Sequence, residues 1–73
     1  MLENEEYKVL KKIAESQVIT KYELAKIFSN LNPHINKIIE KLLEKGYIAR
    51  VSFGTNYLVI TNSGMRAIWD YER

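Results

Sequence analysis

The sequence predicts one small α+β domain, mostly helical, in which three helices are followed by a two-stranded β-hairpin and a C-terminal helix. Apolar residues recur at helical spacing from residue 2 to about residue 45. The pattern then becomes extended over residues 47–53 and 57–61, and the turn residues "GTN" separate these two runs. With 73 residues, the chain has room for a single domain, residues 1–73, with a thin hydrophobic core.

The first helix is predicted from Leu2 to Ser16. Its apolar positions recur with the helical period and are Tyr7, Leu10, Ile13 and Ala14. Its start is acidic, where the helix dipole favours negative charge, with Glu3, Glu5 and Glu6.

The second helix is predicted from about Lys21 to Ser29, because two start patterns coincide there. Thr20 and Glu23 have the spacing of a capping box, in which each side chain binds a backbone amide near the other. Ile19 and Leu24 flank this box at the positions of a hydrophobic staple.

The third helix is predicted from Pro33 to Lys45. Asn32 suits the N-cap, and Pro33 suits the first helical position, where its missing N–H costs nothing. Gly46 supplies the left-handed stop. One stripe of this helix is apolar and consists of Ile35, Ile38, Ile39, Leu42 and Leu43.

The hairpin is predicted to consist of a strand over residues 47–53 and a returning strand over residues 57–61. Thr61 then caps a final helix over residues 62–72. Met65, Ile68 and Trp69 lie on one face of that helix.

Composition excludes several classes of function. The chain has no cysteine and a single histidine, His34, so it has neither disulfides nor the ligands of a thiolate or histidine-cluster metal site. It shows no nucleophile–base set and no glycine-rich phosphate loop, so we predict that it is not an enzyme and uses no cofactor. An acidic start and the lack of an apolar run of about 18 residues favour a cytoplasmic protein without a membrane partner. The Ile-, Lys- and Glu-rich composition without cysteine favours a thermophilic source.

The order of elements and three motifs resemble the winged helix-turn-helix family, especially minimal MarR-like and PadR-like regulators. The motifs are "ELAKIF", "LNPHINKIIEKLLEKGYI" and "ITNSG", the last being similar to the L-T-x-x-G of those regulators. The resemblance implies a helix-turn-helix over residues 20–46, a wing over residues 47–61 and a C-terminal helix over residues 62–72. It also implies a transcriptional regulator that binds double-stranded DNA in a sequence-specific manner, and the small size of the chain resembles the stand-alone winged helices of archaea and their viruses.

The resemblance further implies a set of DNA-binding residues. The third helix is expected in the major groove, where its first half faces base edges through Pro33, His34, Asn36 and Lys37. Phosphate contacts are expected further along the same helix from Lys41 and Lys45. The wing is expected on the DNA backbone or in the minor groove through Arg50, Ser52, Thr55 and Asn56. The charge balance agrees, since residues 33–57 carry four cations and two anions.

Several alternatives remain open at this stage. The Lys and Glu residues of the third helix also fit an ordinary solvated face, although its four-apart pairs have like charge. Glu40 and Glu44 would repel phosphate, and the wing tip has no Arg or Lys, which fits a winged helix that docks on a transcription or replication protein. A homodimer through the first and last helices is expected, with Met65, Ile68 and Trp69 in its interface, but the same face also suits the monomer core.

Overall fold

The computed structural model describes residues 2–31, 33–52 and 54–73. In chain order, the elements are α1 (Asn4–Ser16), β1 (Val18–Ile19), α2 (Lys21–Ile27), a short 3-10 helix (Ser29–Leu31), α3 (Ile35–Glu44), β2 (Ile48–Ser52), β3 (Asn56–Ile60) and α4 (Asn62–Glu72). The predicted fold class, α+β and mostly helical, is confirmed. In this part of the chain, no helix is both long and apolar enough to cross a bilayer.

One hydrophobic core joins all the helices to the inner face of the sheet. α1 lies at its centre and contacts α3, α4 and β3. The apolar stripe predicted for α3 supplies one wall, with Ile35, Ile39 and Leu42 almost completely buried. Ile68 of α4 is also buried in this core, which leaves only Met65 and Trp69 of the predicted apolar face exposed.

The sheet has three strands, one more than the sequence predicted. β1 pairs antiparallel with β3, and β3 pairs antiparallel with β2, so the order is β1-β3-β2. Val18 lies opposite Val59, and Ile19 lies opposite Leu58. A strand of two residues is too short for the alternation of apolar and polar residues to be seen in the sequence. β1 is recognised as a strand by its pairing with β3.

Helix α2 begins as predicted, whereas α3 begins later. The Glu23 N–H donates to the Thr20 hydroxyl oxygen at 3.0 Å, and the Thr20 N–H donates to the Glu23 carboxylate at 3.0 Å, which forms the capping box. Pro33 is not the first residue of α3, because the chain makes a further turn after the 3-10 helix, in which the His34 N–H donates to the Leu31 carbonyl at 2.6 Å. Asn32, the predicted cap, lies outside the described residues.

The junction between α3, β2 and α4 is held by the "ITNSG" motif. Gly46 ends α3 with a φ of +77°, as its position predicted. The Thr61 hydroxyl donates to the Gly46 carbonyl at 2.6 Å and accepts from the Gly64 N–H at 3.0 Å. Gly64 lies so close to the Tyr47 carbonyl that a Cβ at this position would be 2.1 Å from its oxygen. The start of α4 therefore packs directly on the start of β2.

Candidate nucleic-acid interface

The exposed side of α3 is a polar stripe with a definable middle. Its buried residues face the core, and at 3.6 residues per turn the direction opposite to them points through Lys37, Glu40 and Glu44, while Pro33 lies in the turn before the helix. Asn36 lies towards one edge of this stripe, and His34 and Lys41 lie towards the other. All of these residues are exposed. The stripe thus contains most of the α3 residues that the sequence predicted to contact DNA.

The edge that carries His34 and Lys41 faces the start of α1. Here an open depression of about 360 Å³ is lined on one side by Glu3, Glu5 and Glu6 and on the other by His34, Lys37, Ile38 and Lys41. The polar stripe therefore has an acidic neighbour that no motif in the sequence indicated.

Lys45 is engaged at this edge. Its ammonium lies 2.8 Å from the Glu6 carboxylate, and the Glu6 side chain is only 5% exposed. Burial by itself would raise the pKa of Glu6, but the bonds from Lys45 and from the Glu3 N–H, together with the charges of Lys45 and Lys41, lower it below its usual value. Glu6 is therefore a carboxylate that folding keeps charged, and Lys45 serves first as its partner.

The opposite edge of the stripe faces the wing. The Arg50 guanidinium of β2 lies 3.2 Å from Oε2 of Glu40, and the two side chains are 52% and 54% exposed. The sequence indicated Arg50 as the cation of the wing and Glu40 as a repulsive charge. The structure brings the two together and so neutralises Glu40.

The wing is a hairpin with a polar tip. β2 and β3 pair up to Ser52 and Asn56, and Gly54 turns the chain with a φ of +80°. Ser52, Thr55 and Asn56 are exposed. Phe53 lies outside the described residues. Hydroxyl and amide groups of this kind bind phosphate and sugar oxygens in protein–DNA complexes, so this tip suits contact with a nucleic-acid backbone.

Two cations of the stripe remain available for a ligand. Within the described residues, Lys37 and Lys41 take part in no salt bridge, whereas Lys45 and Arg50 each have a carboxylate partner. The described part of the chain also contains no group of three His, Asp or Glu side chains placed to hold a metal ion. The surface is chemically suited to a polyanion with hydrogen-bonding edges.

A second exposed surface lies on α4. Met65 and Trp69, one helical turn apart, are 53% and 71% exposed, and they border a shallow groove with Lys11, Arg66 and Glu72. On the neighbouring side of α4, Tyr71 stacks on Tyr7 with ring centroids 4.2 Å apart. Lys11 binds Glu72 at 2.6 Å. α1 and α4 therefore form one firmly joined unit with an apolar strip on its outside.

Comparison with known proteins agrees with this architecture. A model of the MarR family matches residues 2–52. No curated protein matches the chain. The crystal structure of the oxidised form of MarR from E. coli has a TM-score of 0.84 and 23% identity, covering 94% of this chain and 52% of the MarR chain. A mutant MarR from E. coli complexed with operator DNA gives a TM-score of 0.83 and 22% identity over the same shares. The chain has the winged-helix fold and spans about half the length of these MarR chains.

Proposed function

The chain belongs to the MarR family, and from that premise we propose that it is a transcriptional regulator that binds double-stranded DNA. Its α3 helix enters the major groove, and its β2–β3 wing lies on the backbone or in the adjacent minor groove. The observation that carries this proposal is the exposed stripe of α3, where Lys37 and Lys41 have no salt-bridge partner among the described residues. The similarity in fold to a MarR mutant that was crystallised with operator DNA supports DNA as the partner.

The residues take different roles in this proposal. Pro33, Asn36 and Lys37 belong to the first turns of α3 and its approach, which face base edges when a helix enters the groove. An Asn amide pairs with an adenine edge, and Lys binds guanine or phosphate. His34 and Lys41 lie on the α1 side and suit phosphate. Ser52, Thr55 and Asn56 of the wing suit the backbone. The charge of Lys45 is already balanced by Glu6, so we give it a minor part in binding phosphate.

We also propose a homodimer through α1 and α4, with Met65 and Trp69 in its interface. Both side chains are largely exposed in the monomer, and an exposed Trp beside an exposed Met is typical of an interface core. Ile68 contributes indirectly, from inside the monomer core. Sedimentation equilibrium of the Trp69→Ala variant tests this proposal, because the variant should be monomeric at concentrations where the parent is dimeric. A parent that is monomeric throughout would refute it.

The DNA-binding proposal is tested by the salt dependence of binding to a fluorescent duplex of random sequence. Removing the cation that binds one phosphate lowers the slope of log K against log salt by about one unit. We expect such a decrease for Lys37→Ala and for Lys41→Ala. Lys8→Ala removes the same charge from the exposed side of α1 and should leave the slope unchanged. If the Lys37→Ala and Lys41→Ala proteins had the same slope as the parent, the proposed phosphate binding would be contradicted.

A second function, docking on a protein of the transcription or replication machinery, is favoured by one observation. The exposed wing-tip residues Ser52, Gly54, Thr55 and Asn56 carry no charge, and the nearest wing cation, Arg50, is bound to Glu40. If the parent protein binds no duplex even at low salt, the DNA proposal fails, and capture of protein partners becomes the next experiment.

A DNA-binding role also agrees with the cytoplasmic location that the sequence favours.

A further inference from the structure

Glu40 occupies an unexpected place for an acidic residue on a surface that meets DNA. It lies near the middle of the exposed stripe of α3, one turn after Asn36, and points away from the core. Its side chain is 54% exposed, so a ligand that covers the stripe must cover this carboxylate as well. An isolated carboxylate at this position would be pushed away by the phosphates on both sides of the groove.

Arg50 changes this electrostatic situation. Its guanidinium lies 3.2 Å from Oε2 of Glu40, so the pair carries no net charge. The bond spans two elements, because Arg50 is in β2 and Glu40 is in α3. Among the described residues, Oε2 is the only Glu40 oxygen for which a side-chain hydrogen bond is seen. Oε1 is therefore available to a donor that approaches the stripe.

The donor that fits is the exocyclic amine of a base. An ionised carboxylate accepts hydrogen bonds and donates none. In the major groove, cytosine presents its N4 amine as a donor without a neighbouring acceptor of its own, and Glu and Asp are the side chains that bind it. Guanine and thymine present acceptors at their groove edges, which a carboxylate repels.

We propose that Glu40 is a specificity-determining residue that accepts a hydrogen bond from the N4 amine of a cytosine in the operator. Arg50 is its positioning residue, which neutralises the carboxylate and fixes its orientation from the wing. This inference rests on the proposed function, and it reverses the expectation that Glu40 only repels DNA.

Glu44 provides a matched control within the same helix. It is a second glutamate on the exposed stripe, one turn after Glu40, and within the described residues it forms no salt bridge. Removal of Glu44 should therefore only relieve repulsion, so that all duplexes bind somewhat more tightly with no change in sequence preference.

The experiment first selects bound duplexes from a random-sequence library and sequences them. The selection is made with four proteins: the parent, Glu40→Ala, Glu40→Gln and Glu44→Ala. The affinity of each protein for the preferred duplex is then measured. For the parent, we expect a cytosine preference at one position of the site. Changing that base should cost roughly 5- to 150-fold in affinity. In Glu40→Ala, changing that base should leave the affinity almost unchanged, while the preferences at other positions persist. Glu40→Gln should shift the preference towards adenine, which a Gln amide binds.

The outcomes separate the two proposals. If the parent recovers no duplex, the proposed function fails and this inference fails with it. If the parent recovers a defined sequence but Glu40→Ala binds all duplexes more tightly, as Glu44→Ala does, Glu40 only repels DNA and the inference alone is overturned. An unchanged cytosine preference in Glu40→Ala overturns it as well.

A double-mutant cycle tests the role of Arg50. Arg50→Ala should weaken binding to the preferred duplex and reduce the cytosine preference when Glu40 is present. In the Glu40→Ala background, the same change should leave the remaining preferences unaltered and cost much less affinity. Equal costs in both backgrounds would overturn the positioning role. Both side chains are about half exposed, so these variants are expected to fold, which circular dichroism checks.

Discussion

The close approach of α4 to β2 makes a strong prediction for Gly64→Ala. Alanine in place of glycine normally stabilises a helix by about 1 kcal/mol. Gly64 lies in the first turn of α4, and a Cβ there would be 2.1 Å from the Tyr47 carbonyl oxygen and 2.9 Å from Cγ1 of Ile60. The carbonyl is backbone and cannot rotate away as a flexible side chain would. We therefore expect the substitution to destabilise the protein.

The size of the effect follows from these distances. An ordinary contact needs at least 3.4 Å, against 2.1 Å here, so α4 and β2 must separate by about 1.3 Å. This movement also strains the bond from the Thr61 N–H to the same carbonyl, now 3.0 Å long. Overpacking costs about 1–3 kcal/mol and the loss of a hydrogen bond about 1 kcal/mol, against the gain of about 1 kcal/mol from alanine. The net expectation is a decrease of about 1–3 kcal/mol in the free energy of unfolding.

Urea unfolding followed by circular dichroism measures this decrease. A domain of this size is expected to have only about 4–11 kcal/mol of stability, so the variant should also melt roughly 5–20 °C lower. Ser63→Ala, at the exposed neighbouring position, should change stability by less than about 0.5 kcal/mol. If the Gly64→Ala protein were as stable as the parent, α4 and β2 could move apart without loss of stability, and the predicted destabilisation would be refuted.

Two further predictions concern the capping box and the buried carboxylate. Thr20→Ala removes the acceptor of the Glu23 N–H and should cost about 1 kcal/mol in urea unfolding, whereas Lys21→Ala should cost little; equal effects would contradict a capping role. Folding lowers the pKa of Glu6, so its contribution to stability is complete above its ordinary value of 4.5 and is lost as the pH falls through the lower folded value. The stability difference between the parent and Glu6→Gln should therefore shrink between pH 6 and pH 3, and a difference that stays constant would mean that the Lys45 pair does not set this pKa.

Local patterns predicted most of the fold. Thr20 and Glu23 determine the start of α2, and Thr61 determines the start of α4, because the groups that satisfy these helix ends are only three residues apart in the chain. Gly46 determines the end of α3 for the same reason. Helix α1 also ends at Ser16, as predicted, but its C-cap Gln17 has a φ of 69°, a conformation that glycine usually supplies and that no residue in the sequence indicated.

The candidate site was predicted in its composition but not in its pairing. Helical spacing alone placed Asn36, Lys37 and Lys41 on the exposed side of α3. The ion pairs of Lys45 with Glu6 and of Arg50 with Glu40 join different elements, and no spacing rule connects such residues. These ion pairs determine which cations can bind a ligand. The electrostatics of the surface could therefore be described only from the tertiary structure.

Strand β1 has a consequence for the order of folding. Its two residues pair with β3, which lies beyond α2, α3 and β2 in the chain. The helix-turn-helix is therefore a long loop whose ends are held in adjacent strands, and closing such a loop costs entropy that is recovered only when its helices are packed. We expect the β1–β3 pairing to form late and to open first. Amide hydrogens in β1 should then exchange with solvent sooner than those in the middle of α1 and α3, while these two helices are still folded.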